Sequence, residues 1–342
     1  MEAIHDEFQL TSKLTATVTD SGSNFVKAFR LFGKEIATSR TTFEEANEAH
    51  EISSSSSNSS YSGDVEESFN ETENLNDSDD EDDIVFFPIT KILNSNSDAS
   101  AYSLPPHRRC ICHSLNLLAT ADISKITDRG FLNIFESVDS KLRSIWNKQS
   151  RSSKSSDTIK KELGKLFVTP NDTRWNSYFC AMKRVKYFIL KKPLKLTDIF
   201  KHFNIAPLRP VEEAFIMEYV KVMAPVAAAL DILQGDKNIS IGYLLPTLTV
   251  LQTQLKKLKR DSGIKHCKAL INALCNGLTK RFSHMFLDRE LRLAAMLQPR
   301  FKLFWIQEDK YDAIEMLKEE FEDECGRSGS QRPPTLLKYF IL

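Results

Sequence analysis

Long apolar runs are missing from this sequence. No stretch of its 342 residues approaches the ~18 consecutive apolar residues that a membrane-spanning helix requires. The opening residues, MEAIHDEF, are acidic and do not form the charged-then-apolar pattern of a secretion leader. Cysteine is scarce too: six residues, at 110, 112, 180, 267, 275 and 325, are too few and too scattered for a secreted disulfide framework. A soluble intracellular chain with reduced thiols and no membrane partner is the expectation. Repeats of fixed period are absent, which argues against a solenoid. Residues 41–90 lack Lys and Arg altogether while holding fifteen Asp or Glu. The zero net charge therefore hides an asymmetry, because outside that segment 46 basic residues face 31 acidic ones, an excess of +15. Such an excess points to a phosphate-rich partner, or to a basic surface shielded by the chain's own acidic segment.

What the sequence does hold is apolar material for one large domain or two ordinary ones, with 41% hydrophobic residues and 22 Phe. The first ordered stretch is TVTDSGSNFVKAF, from Thr17 to Phe29. Apolar and β-branched residues alternate up to Asp20, Ser21-Gly22-Ser23-Asn24 interrupts, and Phe25, Ala28, Phe29 and Phe32 follow at helical spacing to about Ile36. That predicts strand, tight turn, helix, with Asp20 at the carboxyl end of a strand, where open α/β sheets bind ligands. Asp20 there is either a metal carboxylate or a cap for the helix.

From residue 41 to 103 the chain is Ser-rich and acidic (ISSSSSNSSYSGD, NDSDDEDD), a composition unable to bury enough surface to offset its ordering entropy, and a disordered loop is predicted. Within it, Ser78 precedes an acidic run suited to an acidophilic kinase, and FFPITKIL is an apolar island suited to docking or to a partner.

Order resumes at residue 104. Residues 109–112 read as a short extended segment, and His113, Leu115, Leu117, Leu118 and Ala121 begin a helix. Cys110 and His113 form a C-x-x-H pair; with Cys112 and His107 they are the available zinc ligands, the alternative being packing at the sheet end. Beyond residue 130 the periodicity is helical throughout, over residues 131–146, 159–168, 174–190, 211–234, 244–259, 265–282 and 289–297, with a basic turn at 147–156. Arg174-Trp175 opens one of these helices, either as a stacking platform for an unstacked base or as a buried indole beside a surface guanidinium. LKKLKR, residues 255–260, is a nuclear import signal or the polar face of a helix.

TVTDSGSNFVKAF, RRCICHSLNLLA, PNDTRWNSYF, LLPTL and MLQPRFKLFW, in this order, resemble successive landmarks of hAT-superfamily transposases, including transposase-derived relatives that carry BED zinc fingers. The resemblance implies an RNase H-like core interrupted by a large all-helical insertion: a partial α/β core at 1–40 and 104–126, the acidic loop at 41–103, the insertion at 127–325 and a tail at 326–342. It implies cut-and-paste DNA transposition, in which two aspartates and a glutamate hold two Mg²⁺ ions. Asp20 matches the second aspartate, Cys110 and His113 the C-x-x-H motif near the active site, and Arg174 and Trp175 the Arg-Trp motif, whose tryptophan accompanies a flipped base.

The sequence also departs from that pattern. Only nineteen residues precede Asp20, so the first carboxylate is missing. Glu319, Glu320, Glu322 and Glu324 lie near the end with no motif placing them at a metal, and Gln298 stands where the family has Asp. The dimerisation segment and BED finger are also missing, which leaves oligomeric state open. The expectation is a transposase-derived nuclear protein, catalytically inactive and without cofactor as it stands, that contacts DNA through its basic helical half. An incomplete gene product of a Mg²⁺-dependent transposase, or a helical protein-interaction module without nucleic acid, are the alternatives.

Overall fold

The computed structural model describes residues 16–20, 25, 27–29, 107–171, 175–235, 240–307 and 310–328, with side chains to residue 322. The acidic loop, Ser78, FFPITKIL, the Ser21–Asn24 turn, Arg174, the side chains of Glu324 and Cys325, and the tail beyond residue 328 lie outside the described residues. Of the chain's two units, Ala37–Leu104 falls wholly outside them; Met1–Ile36 with Pro105–Leu342 holds everything that follows.

Two short strands, β1 (Thr17–Thr19) and β2 (His107–Arg109), pair in parallel, with Thr17 opposite His107 and Thr19 opposite Arg109. Parallel neighbours need a long crossover, and residues 20–106 supply it. The Cys110 N–H donates to the Thr19 carbonyl at 2.6 Å, and the chain turns at once into α1 (Ile111–Ala119). The extended segment thus lies two residues earlier than its apolar pattern suggests, because the ladder takes His107 and Arg108 while Ile111 and Cys112 already belong to the helix. Phe25 and residues 27–29 are helical, as expected after β1.

The remainder is helical: α2 (Arg129–Arg151), α3 (Ser153–Leu163), α4 (Trp175–Lys191), α5 (Pro193–His202), α6 (Pro210–Leu233), α7 (Leu244–Lys259), α8 (Lys268–Phe282), α9 (Arg289–Leu297) and α10 (Lys310–Ser328). No helix among the described residues is long and apolar enough to cross a membrane. Three boundaries depart from the periodicity. The basic turn expected at 147–156 shrinks to Ser152, which leaves the helical region and caps α3 by accepting from the Ser155 N–H at 3.3 Å. α3 stops at Gly164, which adopts φ 74°, well before Pro170. Residues 193–202 form a helix that the apolar spacing did not announce: Pro193 sits in its first turn, and Asn204 at φ 55° closes it as Ile205 N–H reaches the Phe200 carbonyl and Asn204 N–H the Lys201 carbonyl.

The core is built around α6. Phe215, Tyr219, Met223, Val226 and Leu230 are buried on one side and Ile216, Val220, Val222 and Ala229 on others, the pattern of a helix enclosed on most faces. It packs against α1, α2, α4 and α7. An aromatic cluster of Phe131, Phe135, Trp146, Tyr178, Phe215 and Tyr219 fills the space between α2, α4 and α6 with ring centroids 5.5–6.5 Å apart.

Candidate nucleic-acid interface

The register places Asp20 and Cys110 together. Each follows directly on one of two paired residues, so both lie at the carboxyl edge of the sheet, with His113 in the first turn of α1. Asp20 is exposed and His113 half-buried. The neighbouring groups are already engaged. His107 Nε2 is 2.7 Å from Thr19 Oγ1, and its ring stacks on Phe29 with centroids 4.2 Å apart. Burial, with Arg109 beside it, holds this imidazole below its ordinary pKa, so it is neutral at physiological pH. Cys112 donates to the Leu233 carbonyl at 3.4 Å, and burial pushes its thiol up.

Beside this edge is a cleft of about 840 Å³ lined by His107, Arg108, Arg109, Asp122, Lys280 and Asp288, among others. Arg281 grips Asp122 with two bonds of 2.6 and 2.8 Å. Arg108 bonds Asp288 at 2.8 Å and Glu290 at 2.6 Å, while Asp288 also caps α9 through the Leu291 N–H. Burial alone would raise both aspartates, but the guanidinium bonds outweigh it and hold them below the usual carboxylate range. A magnesium pair needs several carboxylate oxygens, and among the described residues this edge offers the carboxylate of Asp20 beside thiols, imidazoles and arginine-bound carboxylates, a donor set that does not fit one. Among the described residues no group of three His, Cys, Asp or Glu could hold a metal ion. Glu319 and Glu320 point elsewhere, paired with Arg289 at 3.3 and 3.1 Å.

Trp175 meets the C-x-x-H helix: its backbone N–H donates to Asn116 Oδ1, in α1, at 3.1 Å. The two motifs are therefore adjacent. The indole, however, is only 6% exposed, lies against Phe179 with centroids 5.6 Å apart, and directs Nε1 toward Tyr219 Oη at 3.5 Å. A stacking platform needs an accessible ring face, and in this arrangement Trp175 takes the other of its two readings, a buried indole.

Geometry gathers a surface that motif reading passed over. Residues 160–195 hold ten Lys or Arg against two acidic residues. α3 and α4 both pack on α5, and side chains from this region meet around residues 164–166. Arg184 Nη1 donates to the Leu166 carbonyl at 2.7 Å, Lys165 Nζ lies 5.2 Å from the centre of the Tyr187 ring, and a Cβ on Gly164 would stand 3.1 Å from Lys192 Nζ. Lys183 and Lys191 on α4 and Lys195 on α5 are exposed, as are Tyr187 and Leu194. The carboxylate paired in this corner is Glu162, 3.5 Å from Lys195 in an exposed contact worth little. No protein-family model, curated protein or solved structure matches this chain. Clustered ammonium groups have the chemistry to track a phosphate backbone, and an exposed Tyr beside them has a π-face on which a base can stack.

Proposed function

We propose that this chain is a hAT transposase-derived protein that binds nucleic acid through the α3–α5 corner, weakly specific for sequence, and that acts as a binding protein rather than as a strand-transfer enzyme. The observation that carries this reading is the convergence of Lys165, Arg184 and Lys192 at residues 164–166, next to the exposed Lys191, with Glu162 paired to Lys195. The five sequence landmarks support the family origin, and the Asn116–Trp175 bond between two of them supports treating them as one unit. An RNase H-like ancestry for the β1–β2 pair belongs to the same proposal, as does residence in the nucleus.

The test is fluorescence anisotropy of a labelled 30-base-pair duplex with the full chain over a range of salt concentrations. Affinity should fall steeply with salt, and Lys165→Ala/Lys191→Ala/Lys192→Ala should lower the log–log slope by two to three, at about 0.9 per phosphate contact. An unchanged slope in that variant would remove the corner from the interface. Supercoiled plasmid should stay intact with the protein in Mg²⁺; nicking that depends on Asp20 would move the protein to the enzyme class.

A further inference from the structure

A second surface, separate from the cationic corner, lies between α6 and α7. It is a groove of about 1540 Å³ whose floor includes Pro225, Ala228, Val250, Leu251, Phe304 and Trp305. α6 is enclosed on most faces, yet Ala224, Ala228 and Ile232, at i, i+4 and i+8, stay exposed on the side toward this groove. Across it Val250 is 59% exposed, and Phe304 is 83% exposed. Large apolar side chains brought together along one groove are an interaction surface rather than the scattered exposure that any protein shows. Residues 246–258 of α7 line it, which at the helical rise is about 18 Å, the length of three helical turns.

The charges at its ends decide the occupant. Lys257 and Arg260 close one end and Arg300, bonded to Tyr243 Oη at 3.4 Å, the other. None of the three makes an ion pair among the described residues. Of the two carboxylates of the lining, Asp261 is paired with Lys221 at 2.6 Å, while Asp231 accepts from the neutral Asn176 amide at 3.2 Å and keeps its charge. We propose that this groove binds an amphipathic α-helix of about three turns from another protein, apolar on one face and carrying carboxylates near both ends. Apolar contact along the small-residue face of α6 allows close approach, and the terminal cations select against basic helices.

The probe is a fluorescein-labelled synthetic helix of eighteen residues with Leu at i, i+3, i+4 and i+7 and Glu at both ends, compared with a twin carrying Lys there. At low salt the full chain should bind the acidic peptide at least tenfold more tightly than the twin. Ala228→Arg, at an exposed position, should cut that affinity at least tenfold with an unchanged melting temperature, and Lys257→Glu/Arg260→Glu should abolish the preference between the peptides. Equal binding of the twins, or indifference to both variants, would overturn the proposal. So would self-association in sedimentation that Ala228→Arg abolishes, since the occupant would then be a second copy of the chain.

Discussion

Glu218 shows what a single side chain does when the tertiary structure surrounds it. Only 9% exposed on α6, it accepts from the N–H groups of Lys265, His266 and Cys267 at 2.9, 2.7 and 3.0 Å, and so caps the turn that leads into α8, whose own N-cap residue, Cys267, makes no side-chain cap bond. Glu218→Gln, which turns an amide NH₂ toward at least one of those donors, should cost about 2 kcal/mol in urea unfolding. Glu212 is enclosed differently. Burial would raise its carboxyl, but bonds from the Arg209 N–H, Lys141, Ser137 and the Arg209 guanidinium together hold it at about 2, against 4.5 for a free glutamate. A depressed carboxylate stabilises the fold fully above the unfolded value and loses that contribution as pH falls toward the folded one. The wild type should therefore lose on the order of 3 kcal/mol of stability between pH 5 and pH 2 through this group, a loss missing from the pH profile of Glu212→Gln. Gly277 marks a close approach: a Cβ there would stand 2.6 Å from Asp122 Oδ2, which Arg281 holds in place, and 2.7 Å from Leu118 Cδ1. Gly277→Ala should cost about 1–3 kcal/mol by overpacking α8 against the turn after α1.

At the scale of elements, helix ends decide how the cationic corner is assembled. The reversal at Ser152 folds α3 back so that it packs on α2, and the left-handed Gly164 turns the chain toward α5. Gly164→Ala should cost about 1 kcal/mol, since a side chain at φ 74° is strained and would crowd Lys192. Weaker DNA binding by this variant, at a protein concentration where it remains folded, would connect the turn to the interface. α9 is held from two sides, by Arg108 at its N-cap and by the Ile241–Tyr243 turn, where a Cβ on Gly242 would stand 2.4 Å from the Ala294 carbonyl oxygen. That contact explains why a glycine follows Ile241 at this point: only hydrogen fits between the turn and the helix backbone.

For the molecule as a whole, the charge separation is the dominant property. The +15 excess outside residues 41–90 should make duplex affinity fall at least a hundredfold between 50 and 200 mM salt if six or more phosphates are contacted, measurable in the same anisotropy titration. The sheet-edge cleft and the apolar groove lie elsewhere on the same helical body, so variants of the groove should leave the salt slope unchanged. Sites with no shared partner contribute independently.

Local chemistry alone determined the helical character of the chain from residue 129 onward, and it set the bounds of α7 and α9, because 3.6-residue apolar spacing and a capping Asp288 are local properties. It also announced the short strand before Asp20 and the charge excess. Local pattern was silent on α5, whose start and stop rest on a proline and an asparagine rather than on a long apolar stripe. Only the tertiary structure decided that Trp175 faces the core, since an indole near an arginine reads the same whether its ring is covered or bare. The same holds for the capping role of Glu218, for the Arg-bound state of Asp122 and Asp288, and for the corner that joins Lys165 to Lys192. These pairings bring together residues from 27 to 180 positions apart, and a sequence pattern does not carry distances of that kind.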